Sequence, residues 1–96
     1  MSVFYLLFKG DSLIYHLGQQ FSTRDQDNDL AAGDSCAELA KGGWWYGNCH
    51  HSNLNGRYYR SGNYTSTSTD PDGVEWNDWK GRYYSLTFTE MKFRLF

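Results

Sequence analysis

The sequence predicts a loop-rich α+β domain, built as a small, mainly antiparallel sheet with one or two short helices. Three observations predict it. Turn signals recur at short intervals, as in KGDS at 9–12, PDG at 71–73, and Gly42, Gly43, Gly47, Gly56, Gly62 and Gly81. Helical periodicity is nearly absent, and aromatic residues make up 19% of the 96 residues. Short runs between turn signals are the mark of strands joined by loops. Large rings, each able to bury roughly 150–250 Å², let a chain this short assemble one core from few side chains.

The first element is the apolar run Val3 to Phe8. It is too short to span a membrane and lacks the basic start and small-residue cleavage site of a secretory leader, so it reads as a strand covered on both faces. The next segment, FSTRDQDNDLAAGDS, alternates Asp25, Asp27 and Asp29. Carboxylates this close repel one another unless a cation neutralises them, and calcium, which takes six to eight oxygens at roughly 2.3–2.6 Å, suits them. An EF-hand is excluded, because Leu30 and Cys36 fall where its glycine and final glutamate belong. Ala31 and Gly33 are small enough to turn backbone carbonyls inward.

Ser35 and Glu38 have capping-box spacing, which predicts a short helix from Cys36 to Lys41 that the glycine pair Gly42 and Gly43 stops. Cys36 and Cys49 read either as two buried thiols or as a disulfide. In GGWWYGNCHHSNLNG, residues 42–56, Trp44 and Trp45 read as core, as do Trp76 and Trp79 further on. His50 and His51 are adjacent, so on an extended chain they point apart and make no zinc pair. Asn53 and Asn55 read as turn caps. The polar stretch Ser61 to Gly73 reads as a surface loop, and Asn63 in it begins the glycosylation sequon NYT. In the last segment the apolar residues change parity, from Tyr84, Leu86 and Phe88 to Met91, Phe93 and Leu95. A bulge near Thr89 and Glu90, or passage from one covering layer to another, would absorb the slip.

Net charge is −2 with nine basic residues in no run, which argues against nucleic acid and anionic membrane as partners. No spacing suggests a Ser-His-Asp triad, and the paired carboxylates are better explained by calcium, so no enzymatic activity is expected.

Three stretches, FSTRDQDND, CAELAKGGWWYGNCHHSNLNGRYY and DGVEWNDWKGRYYSLTFTEMKFR, resemble in that order the C-terminal part of fibrinogen-related domains. This family includes fibrinogen chains, ficolins, tachylectins, tenascins and angiopoietins. The resemblance runs from about Gly10, in GDSLIYH, to Arg94. It implies that residues 1–96 form a single domain corresponding to the calcium and ligand-pocket subdomain, shortened by the family's N-terminal half, and that the protein is secreted and non-enzymatic. It further implies calcium held by the Asp27 and Asp29 carboxylates and the Ala31 and Gly33 carbonyls. A Cys36–Cys49 disulfide is implied as well, and closing so short a loop would stabilise by about 3 kcal/mol. The resemblance places a cis peptide bond at Asn48–Cys49, which would aim backbone N–H groups and His50 into one ligand cavity.

Two ligand classes follow from the resemblance. The first is calcium-dependent, lectin-like recognition of acetylated sugars or other acetyl groups, as in innate-immune pattern recognition. The alternative is a peptide- or protein-binding module of the fibrinogen knob-and-hole type. Ala40 stands where acetyl-binding members often carry a tyrosine, and Asp70-Pro71 where they carry a Tyr-Ala wall. Both changes remove apolar wall, and Asp70 offers a carboxylate to a cationic group. With strands of the missing half absent, exposed edges predict a tendency toward homo-oligomers.

Overall fold

The computed structural model of the protein describes residues 11–91. The strand expected at Val3 to Phe8, and the terminal Phe93, Leu95 and Phe96, lie outside them. Within them the architecture is α+β and loop-rich. A 3-10 turn, Ile14–His16, opens it. The Asp11 carboxylate starts that turn by accepting from the N–H groups of Leu13 at 3.0 Å and Ile14 at 3.1 Å.

Helix α1 spans Cys36–Ala40, and the Ser35 hydroxyl accepts from Glu38 N–H at 3.4 Å, as the capping spacing requires. It ends one residue earlier than expected. Lys41 is left-handed, with φ 71°, and its N–H closes back on Ala37 O. The glycine that follows is required for another reason: a Cβ on Gly42 would sit 2.3 Å from the Asn55 carbonyl oxygen. The backbones of the 42 and 55 segments therefore touch directly.

Strands β1, Ser52–Asn53, and β2, Glu75–Trp76, pair antiparallel, with Ser52 opposite Trp76 and Asn53 opposite Glu75. A second short helix, α2, Asn77–Lys80, leaves β2 directly. Elsewhere pairing shrinks to single bridges, such as the antiparallel ones joining Ser22 to Trp44 and Asn63 to Tyr84.

The apolar core gathers Cys36, Ala37, Ala40, Trp44, Tyr46, Leu54, Val74, Trp76 and Leu86. Trp45 packs partly buried against it, but Trp79 is 43% exposed, against expectation. Being on the exposed face of α2, Trp79 meets the Lys80 ammonium, 5.2 Å from its ring centroid. The expected strand with a bulge near Thr89 and Glu90 is not formed within the described residues, where pairing in this segment is a single bridge at Tyr84. Leu86 is buried, Phe88 of the same parity is exposed, and Met91 of the other parity returns to the core.

Almost as much of the interior is polar. Ser12, His16, Ser22, His50, Ser52, Asn53, Asp72, Glu75 and Ser85 are all buried, and such groups persist inside only where partners replace water. Asn53 is the hub, not a turn cap. Its amide donates to Ala40 O at 2.9 Å and Gly73 O at 3.0 Å, while its carbonyl accepts from the Tyr46 hydroxyl at 2.6 Å. It thus pins α1, β1 and the approach to β2 together.

Candidate functional site

The acidic segment folds on its own carboxylates. Asp27 Oδ1 accepts from Asp29 N–H at 3.0 Å, and Asp29 Oδ1 accepts from Ala31 N–H at 2.9 Å. Asp29 Oδ2 accepts from Cys36 N–H at 2.8 Å, at the first turn of α1. Asp25 turns aside to the Thr23 hydroxyl at 2.7 Å, a bond that holds its carboxyl below the ordinary range. Burial, with Asp27 alongside, holds the Asp29 carboxyl above that range despite the bonds from Cys36 and Ala31. Gly33 adopts φ +79°, in the left-handed region that glycine enters freely. Among the described residues no three His, Cys, Asp or Glu side chains are grouped to hold a metal. Two adjacent carboxylates flanked by small residues nonetheless form an oxygen-only donor set, which fits calcium and offers nothing to softer metals.

From Asp29 the chain leads to the second region. Cys36 is joined to Cys49 by a disulfide, and Leu30 N–H donates to Gly47 O at 3.0 Å. The peptide bond Asn48–Cys49 is cis. Asn48 is exposed, Cys49 partly buried and His50 buried. His50 Nε2 lies 2.8 Å from Pro71 O, and since a carbonyl only accepts, Nε2 carries the proton. Burial lowers the His50 pKa to about 4, so the ring is neutral at pH 7 and Nδ1 is a bare acceptor. Nδ1 is buried without a partner among the described residues.

The bond to Pro71 holds the Asp70-Pro71 segment against His50. Asp70 is half-buried, and its carbonyl accepts from the Ser66 and Ser68 hydroxyls. Ala40 belongs to the core, with its carbonyl held by Asn53, so its methyl lies beneath the surface. His51 faces outward and stacks on Tyr15, with centroids 4.0 Å apart and planes 13° from parallel.

Several residues that order this region were not singled out from the sequence. Tyr15 accepts Asn48 N–H on its hydroxyl at 2.8 Å. His16 Nδ1 lies 2.7 Å from Trp45 O, and Nε2 accepts from the N–H groups of His51 at 3.1 Å and Ser52 at 3.2 Å. That pattern demands a neutral ring, and burial lowers its pKa accordingly. Behind Pro71, Asp72 receives the Tyr59 hydroxyl at 2.7 Å and the Thr67 hydroxyl at 2.6 Å. Glu75 Oε2 accepts from the Tyr64 hydroxyl and from Tyr83 N–H at 3.0 Å, while its Oε1 has no partner. Burial raises the Glu75 pKa to about 7. The only sequence signal for Tyr15 and His16 is their place in GDSLIYH. For Asp72 and Glu75 it is the acidic spacing of DGVE.

A short antiparallel pair flanked by loops and stapled by one disulfide defines a small loop-built α+β domain. The family model described as fibrinogen beta and gamma chains, C-terminal globular domain, matches residues 5–95, and the chain belongs to that family. Fibrinogen C domain-containing protein 1 of Macaca fascicularis is 53% identical over 85 residues, covering 88% of this chain and 19% of its own length. Tenascin-R of Gallus gallus is 49% identical over 85 residues, covering 88% of this chain and 6% of its own. The chain thus spans a fifth or less of these relatives. Among solved structures, the fibrinogen-like globe domain of human ANGPTL2 superposes with a TM-score of 0.74 at 51% identity, covering 80% of this chain and 34% of that one. Lamprey fibrin D-dimer, complexed with the peptide ligand Gly-His-Arg-Pro-amide, gives a TM-score of 0.68 at 48% identity, covering 73% of this chain and 22% of that one.

Proposed function

We propose that the chain is a non-enzymatic, secreted, calcium-dependent recognition module whose segments around Asn48, Cys49, His50 and Asp70-Pro71 take acetylated sugars, specifically those acetylated on nitrogen. The observation that carries this reading is the His50 ring, fixed through Nε2 on Pro71 O and left with a bare, buried Nδ1. A buried acceptor without a partner costs about 1–3 kcal/mol, which a ligand N–H would recover by displacing the atoms that now cover Nδ1. The acetamido group of an N-acetyl sugar supplies such a donor, and an O-acetyl group does not. Calcium would be held by Asp27 and Asp29 with the carbonyls of Ala31 and Gly33, relieving the repulsion between the two carboxylates and steadying the loop bonded to Gly47.

A second reading is favoured by a specific observation, the peptide bound to the lamprey neighbour. A peptide amino terminus also brings N–H donors, and Asp70 would offer it a counter-charge. Parallel columns carrying N-acetylglucosamine, an O-acetylated sugar and Gly-His-Arg-Pro-amide separate the two. Calcium-dependent retention on the first alone is expected, abolished in His50→Phe. Retention on the peptide alone would reverse the assignment. Calcium is also expected to raise the Tm of the wild type and not of Asp27→Asn or Asp29→Asn; no rise in the wild type removes the metal from the reading.

A further inference from the structure

We propose that Asn63 is an N-glycosylation site, carrying an oligosaccharide on its side-chain amide. The acceptor sequence is Asn63-Tyr64-Thr65. Such tripeptides arise often by chance, so placement must decide. Asn63 forms an antiparallel bridge with Tyr84, which makes the segment locally extended, and on an extended chain alternate side chains share a face. Tyr64 points inward: its ring stacks on Tyr59 at 4.0 Å, and its hydroxyl meets Glu75. Asn63 and Thr65, one on either side of it, are both exposed. No hydrogen bond occupies either side chain among the described residues; the only side-chain bond to Asn63 is from the Ser61 hydroxyl to its backbone carbonyl. The amide nitrogen and the threonine hydroxyl that an acceptor site requires therefore stand side by side on the open face.

A second, independent feature points the same way. The Cys36–Cys49 disulfide belongs to an oxidising compartment, which is also where N-linked chains are added. In the transfer, Asn63 Nδ2 attacks the anomeric carbon of a polyisoprenyl-diphosphate-linked oligosaccharide. The new N–C bond forms as the C–O bond to the diphosphate breaks, the lipid diphosphate leaves with the electron pair, and the amide gives up one proton. The attachment point lies near the start of the Ser61-to-Gly73 loop, whose ends meet where the Tyr64 hydroxyl accepts from Gly73 N–H at 2.8 Å. Its immediate neighbour is Tyr84, whose ring lies 5.4 Å from the Lys80 ammonium. The glycan would stand beside this aromatic face.

The test is expression of the full chain behind a cleavable leader in cells that glycosylate, with intact-mass measurement before and after peptide-N-glycosidase treatment. We expect the wild type to carry a glycan, Thr65→Ser to keep it, and Asn63→Gln and Thr65→Ala to lose it. Asn63 should read as aspartate after enzymatic release. Wild-type protein that is secreted with its disulfide formed but unmodified overturns the proposal, as does a glycan that persists in Thr65→Ala. Should Asn63→Gln fail to be secreted, Thr65→Ala decides alone, since the exposed Thr65 side chain has no hydrogen-bond partner to lose among the described residues. None of these outcomes depends on what the His50 cleft binds.

Discussion

His50 and Glu75 are buried groups whose protonation pulls stability in opposite directions. The His50 pKa falls from 6.5 to about 4 on folding, so its contribution is full above 6.5 and is lost as pH drops toward 4. The Glu75 pKa rises from 4.5 to about 7, so its contribution is full below 4.5 and is lost as pH climbs through 7. Between those limits the two slopes offset each other, with His16 adding to the histidine side. The wild-type Tm should therefore change little between about pH 5 and 7. Glu75→Gln keeps an oxygen for Tyr64 and Tyr83 but cannot titrate, so its Tm should fall more steeply on acidification than that of the wild type. His50→Gln keeps an N–H for Pro71 and should instead lose stability more steeply as pH rises to about 8. Thermal melts of the three proteins across this range check the argument, and three parallel curves would refute it.

The elements of the fold are held as much by buried amides and hydroxyls as by apolar contact, and Asn53 shows the consequence. Asn53→Ala would leave the carbonyls of Ala40 and Gly73 and the Tyr46 hydroxyl without these partners, each lost pairing costing about 1–3 kcal/mol. Urea denaturation should show a loss of at least about 3 kcal/mol. Asn55→Ala, which removes one exposed bond to Gly43 O, should cost under about 1 kcal/mol. This contrast also marks the limit of reading SNLNG from sequence, where both asparagines look like caps. Helix α1 was legible because its signals are local: the Ser35 cap, Glu38 three residues on, and the glycine pair after Lys41. The roles of His16, Asn53 and Glu75 were not, because their partners are set by tertiary folding. His16, for instance, bonds the backbone of Ser52, 36 residues away. The exposure of Trp79 escaped for a related reason, since nothing in EWNDWK tells which tryptophan the short helix turns outward. The acidic segment was legible as a cluster, but not the fact that Asp29 spends one oxygen on the first N–H of α1.

At the scale of the whole molecule, that oxygen begins a continuous connection. Asp29 bonds Cys36, Cys36 is bridged to Cys49, Cys49 precedes His50, and His50 bonds Pro71, with the Leu30 bond to Gly47 as a second strut. Two sites joined this way should be thermodynamically coupled, and coupling between ligands is reciprocal. If calcium occupies the Asp27 and Asp29 loop, it should tighten ligand binding at His50 by roughly 5–150-fold, and the ligand should tighten calcium by the same factor. The Cys36→Ser, Cys49→Ser double variant removes the covalent link and should lose about 3 kcal/mol of stability by the chain-entropy argument. In whatever fraction stays folded, calcium should still bind, because Asp29 keeps its bonds, but the coupling factor should drop toward one. Isothermal titrations of ligand with and without calcium, in both proteins, measure it. Where the double variant does not fold, Leu30→Pro removes the N–H of the second strut; because proline also fixes φ at 30 and restricts Asp29, calcium affinity is measured beside the coupling factor. An undiminished factor in the double variant would mean that the two regions communicate by another route, whereas an undiminished factor in Leu30→Pro would assign the coupling to the disulfide route.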